Sequence, residues 1–215
     1  MKTSLKLSAL VLVSFALAGA VLAENQAPAT AGAPFVTSEV VAFDPFPEPG
    51  DVVADAVAWL VATDDGLTAI VTTTELPPGD AVTMWWVVFN DPEACEAHPA
   101  PCGMNDIGVE EVAAEVTYAA GTVIDDAGNG TFVGYHPLGH TEQAWFGHGL
   151  RNPLGAEVHL VMRTHGPVIE DRLDAMIGTF RDGCHNVEED HPAYDDGEPG
   201  PNECHDLQFA ILQQH

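Results

Sequence analysis

The clearest alternation of apolar and polar positions runs from Ala156 to Thr164. In an extended strand, Val158, Leu160 and Met162 fall on one side, and Glu157, His159, Val161 and Arg163 on the other. Ala81 to Asn90 behaves differently. Its centre, Met84-Trp85-Trp86-Val87-Val88-Phe89, is apolar without a break, the pattern of a central strand covered on both faces. Leu67 to Leu76 is rich in β-branched residues and reads as a further strand. Val36 to Phe43, Val112 to Ile124 (as one strand or two), Thr131 to Tyr135 and Leu207 to Gln213 add strand-like runs. Val52 to Ala62 fits a helical or an extended period equally well. Asp64-Asp65-Gly66, Pro77-Pro78-Gly79-Asp80 and Asp125 to Gly130 punctuate these segments as turns.

One stretch changes period. Ile169, Leu173, Met176, Ile177 and Phe180 recur at helical spacing, which predicts a helix from Pro167 to about Phe180. Pro167 suits a first helical turn, and Gly183 can stop the element. Many strands, one late helix and no internal repeat predict a mainly β protein, an antiparallel β-sandwich occupying 36–215 as one domain.

The ends and the totals refine this picture. Residues 1–23 read as an export signal. Lys2 and Lys6 precede an apolar run from Leu7 to Ala18, and Val21-Leu22-Ala23 offers small residues for cleavage before Glu24. Residues 24–35, rich in Ala, Pro and Gly, form a flexible lead-in. No later run is long and apolar enough to span a bilayer. The whole chain has a formal charge of −27. Once Lys2 and Lys6 leave with the signal, four arginines stand against 33 acids, a balance of −29. Such a chain repels nucleic acid and anionic membrane surfaces, so neither is an expected partner. The acids spread along the whole length, as on a solvated surface rather than in a set of cation sites.

Four cysteines in an exported chain predict two disulfides and a secreted or periplasmic location. Three pairings are possible. The local one, Cys95 with Cys102 and Cys184 with Cys204, closes a Pro-rich loop and an acidic Pro/Gly loop. No C-x-x-C motif is present to suggest redox chemistry.

The residue inventory removes several reaction classes. Ser38 is the only serine after the signal, and Val-Thr-Ser-Glu-Val is no nucleophile elbow. No lysine remains for Schiff-base chemistry or a phosphate-binding loop. Ten histidines are many for this length. His159 and His165 lie too far apart on one strand to share an ion. His185 and His191 lie in the second cysteine loop, and His205 directly follows it. His136, His140 and His148 fall in a loop-prone stretch that can bring three imidazoles together, with Glu142 nearby, and they are the candidate copper or zinc ligands. Pro137 and Gly139 exclude a helical histidine pair. Asp125 to Gly130 lacks the complete calcium-loop pattern and reads as a hairpin turn. Of Trp85 and Trp86, adjacent on a strand, one faces away from the other, and an exposed one would point to sugar or partner binding.

The segments Met84 to Cys95, Cys102-Gly103 and Gly155 to Pro167 resemble a group of uncharacterised secreted proteins, mainly bacterial. The resemblance runs from about Leu67 to the C-terminus and brings no activity with it. The strand order also resembles, more distantly, the chordin-type (CHRD) extracellular β-domain, although the His-rich segment of that family is replaced here by the Trp-Trp strand. The resulting expectation is a non-enzymatic binding or structural module without a cofactor. The alternative is a metal-dependent secreted protein using His136, His140 and His148.

Overall fold

A computed structural model of the chain describes residues 35–142, 144–147, 149–186 and 197–213. The expected export signal at 1–23, the expected lead-in as far as residue 34, His148 and His191 lie outside them. The described residues form eleven strands: β1 Phe35–Ser38, β2 Val41–Phe43, β3 Pro49–Val52, β4 Val57–Thr63, β5 Gly66–Thr73, β6 Asp80–Phe89, β7 Glu115–Val123, β8 Gly130–Pro137, β9 Ala144–Phe146, β10 Glu157–Pro167 and β11 His205–Gln213. They form a four-stranded sheet, β1-β4-β5-β8, and a seven-stranded sheet, β3-β2-β11-β10-β6-β7-β9. All the strand pairings are antiparallel.

The two sheets pack face to face as the predicted sandwich. Leu60, Leu67, Val71 and Phe132 from the smaller sheet meet Met84, Trp86, Val88, Leu160 and Met162 from the larger one. Alternation decides which side chains go inside. Val158, Leu160 and Met162 are all buried in this core, as the pattern of β10 requires. The ambiguous segment resolves into β3 and β4, with Ala58, Leu60 and Ala62 inward. Val112 to Ile124 contributes one strand, β7.

Three expectations need correction. The first run, Val36 to Phe43, is two strands in different sheets: β1 pairs with β4 and β2 with β11. The crossing occurs at Glu39-Val40, where Val40 is fully buried. The Asp125–Gly130 loop is no hairpin, because it carries the chain from β7 in one sheet to β8 in the other. The Asp125 carboxylate accepts the Ala127 and Asn129 backbone N–H groups at 2.9 and 2.8 Å, so it organises the turn. Thirdly, the helix is far shorter than its period suggests. Pro167 still belongs to β10, and only a 3-10 turn, Glu170–Arg172, and one α-turn, α1 Leu173–Met176, follow. Tertiary contact ends it. The Tyr118 hydroxyl donates to the Ile177 carbonyl at 2.7 Å, and that backbone lies flat on Gly121, where any side chain would collide with it. The apolar spacing marked which residues turn inward, Met176 fully buried and Ile169, Leu173, Ile177 and Phe180 half-buried, rather than how long the helix runs.

Candidate functional site

The seven-stranded sheet has a second apolar face. Trp85, Val87, Phe89 and Val116 point away from the sandwich core and pack with Cys95, Cys102 and Val112. Cross-strand register arranges this outer face in rows. One row reads Phe209, Val161, Trp85, Tyr118; the next reads Ile211, His159, Val87, Val116. The chain only partly covers them. A groove of about 610 Å³ remains, floored by these rows and walled by Met104 and Ile107, by Phe180 and Asn186, and by Phe43, Phe46 and Pro47.

Two charged residues of β10 fix the walls. At one end Glu157, almost fully buried, accepts the Cys102 N–H at 2.7 Å, His159 Nε2 at 2.7 Å and Gln213 Nε2 at 2.6 Å. Burial pushes its carboxyl up, but these hydrogen bonds outweigh that and hold it below its ordinary value. The clamp ties the Cys95–Cys102 loop to the sheet. At the other end Arg163 donates to Asp206 at 3.0 Å and to the Phe180 carbonyl at 3.3 Å. Its guanidinium lies 4.3 Å from the centre of the Phe180 ring. Phe180 in turn stacks on Trp145 at 4.2 Å and meets Trp85 edge-on at 5.1 Å.

A buried relay orients Trp85. His165 Nδ1 lies 2.8 Å from the Asp182 carbonyl oxygen, so Nδ1 carries the proton. Nε2 then accepts from the Thr83 hydroxyl at 3.0 Å, and that hydroxyl accepts the Trp85 indole N–H at 2.9 Å. Every donor meets an acceptor only while His165 is neutral. Burial, with the positive charge of Arg163 adding to it, pushes the imidazole down to about 4 against one opposing hydrogen bond.

Both disulfides have the predicted local pairing, Cys95–Cys102 and Cys184–Cys204, and no free thiol remains. Neither member of the tryptophan pair is exposed: Trp86 is in the sandwich core and Trp85 is 4 % exposed beneath the groove. The candidate histidines fall in different surroundings. His136 is buried on the inner face of β8, with Nε2 3.2 Å from Glu115 Oε1, whereas His140 is exposed just beyond that strand. His159 lines the groove and His165 lies against the Cys184–Cys204 disulfide, well apart. Among the described residues, groups of three or more His, Cys, Asp or Glu ligand atoms occur twice, and both depend on disulfide sulfurs, which are not thiolates.

The sequence reading missed the groove walls and the burial of Glu115 and Glu157. The walls come from segments far apart in the chain. Glu115 and Glu157 are the first residues of β7 and β10, but among 33 acids nothing in the sequence marked them as buried. No protein-family model matches the chain, and no curated protein or solved structure matches it either.

Proposed function

We propose that this is a secreted or periplasmic binding protein, non-enzymatic, that holds an apolar, ring-containing small molecule in the outer groove. The observation that carries this reading is the groove itself: about 610 Å³, lined mainly by aromatic and aliphatic side chains, with His159, Arg163, Asp206 and Asn186 as its few polar groups. That size and that balance are typical of small-molecule pockets. Arg163 is already neutralised by Asp206, and a net charge of −27 disfavours anions, so the ligand is neutral or cationic. The export signal, the two disulfides and the resemblance to secreted bacterial proteins fit the location. The described residues include no helix long and apolar enough to cross a membrane.

Filling the groove tests the reading better than truncating it. Val161 sits half-exposed on the floor, between Phe209 and Trp85. A neutral solvatochromic dye should bind the unmodified chain with a blue-shifted emission, and Val161→Trp should weaken that binding at least tenfold with little change in melting temperature. No dye binding, or equal binding by the variant, would count against the groove.

A further inference from the structure

A different site lies inside the sandwich, where β7 and β8 face each other. Both carboxylate oxygens of Glu115, Nε2 of His136 and Nε1 of Trp86 are buried and have no hydrogen-bond partner among the described residues. Buried polar groups are satisfied in nearly all folded proteins, and a carboxylate with neither oxygen bonded calls for a missing partner. Glu115 opens β7 opposite Val88, on the inner face, and His136 follows Phe132 and Gly134 on the inner face of β8. Neither residue is more than 1 % exposed.

The tautomer sharpens the problem. His136 Nδ1 lies 3.0 Å from the Pro137 carbonyl oxygen, so the proton of the neutral ring is on Nδ1. Nε2 then turns a lone pair toward Glu115 Oε1 at 3.2 Å. Two lone-pair atoms at that distance repel unless a positive centre, a proton or a metal ion, lies between them. Two ligands of a tetrahedral zinc ion, each bonded at 2.0–2.1 Å, stand about 3.3 Å apart. A ligating histidine also commonly donates its other N–H to a backbone carbonyl, as His136 does here.

We propose that Glu115 and His136 bind a divalent transition-metal ion, represented by zinc, within the sandwich. One imidazole nitrogen and one carboxylate oxygen suit zinc, whereas calcium and magnesium take oxygen ligands. The Trp86 N–H, on a ring centred 5.9 Å from that of His136, is a donor for a water on the ion. The following segment passes close by: Thr141 Oγ1 is 2.9 Å from Thr117 Oγ1, and Gly147 packs on the Glu115 backbone so tightly that any side chain there would collide. This site shares His136 with the three-histidine expectation but is centred on an acid outside that pattern. It stands apart from the outer groove and does not depend on it.

The test is zinc titration by calorimetry on untagged chain stripped with a chelator, with melting temperature as a second readout. The unmodified chain should take up one equivalent, and its melting temperature should rise with zinc and fall back on chelation. Glu115→Gln, which keeps the shape of the side chain, and His136→Gln should each weaken uptake at least tenfold, while His159→Ala leaves it unchanged. No uptake and no zinc-dependent melting shift in the unmodified chain overturns the proposal whatever the variants do. So does a folded Glu115→Gln or His136→Gln chain that binds zinc as tightly as the original.

Discussion

The two faces of the seven-stranded sheet use the same strands to different ends. On the inner face Met84, Trp86, Val88, Leu160 and Met162 are sealed against the second sheet. On the outer face Trp85, Val87, Phe89 and Val161 are covered mainly by loop segments, braced by the Cys95–Cys102 and Cys184–Cys204 disulfides, and a groove stays open between them. A flat strand pattern that is apolar on both sides therefore has two physical origins here. One face is buried by a sheet, which fills space. The other is buried by a layer held in place by Glu157, Arg163 and cross-links, which leaves a gap.

That contrast should appear first in stability. Trp86→Ala leaves a large hole in a sealed core and should cost about 3–5 kcal/mol. Val161→Ala, beside the open groove, should cost less than about 1 kcal/mol. Urea melts of the two variants would break the comparison if the losses came out equal.

Acid should act mainly through the outer side. His165 titrates near 6.5 in an unfolded chain and at about 4 when folded. Between those values the unfolded chain holds a proton that the folded one lacks, so stability falls as pH drops through this window and levels off below it. The contribution amounts to about 3 kcal/mol. His165→Gln should flatten the pH dependence of stability between 6.5 and 4 by about that amount, measured as the difference between the two chains because the acids titrate in both. Parallel curves for the two would show that the relay to Trp85 tolerates a charged ring.

The smallest of these effects concerns a single cross-link. Replacing Cys95 and Cys102 by Ala opens a loop of sequence separation 7, which in the loop-entropy picture costs about 2 kcal/mol. The inner core should keep its near-ultraviolet tryptophan signature, while dye binding in the groove drops. Unchanged dye binding would mean that Glu157 alone is enough to hold that wall.

The parts of the molecule that were legible in sequence are those set by short-range rules. The alternation of β10 names both of its faces, including the Glu157, His159, Val161 and Arg163 set that borders the groove. The local disulfides and the opposed tryptophans follow from equally short reasoning. What escaped depends on distant segments. The helical period of Ile169 to Phe180 is genuine, but Tyr118 and Gly121, some sixty residues earlier, decide where the helix stops. Glu115 is one of 33 acids, and only its position opposite His136 sets it apart from the solvated ones. The histidine count singled out His136 but gave no weight to the carboxylate beside it.

The position of β11 has a consequence for how the protein is made. It is the last strand in the sequence, yet in the sheet it lies between β2 and β10. A chain emerging from the ribosome carries β2 and β3 from early on, with nothing to pair them to the rest of their sheet until His205–Gln213 has been synthesised. Closing that sheet is the most non-local step in the molecule, the kind that slows folding. A growing chain therefore cannot complete its larger sheet until His205–Gln213 has been made.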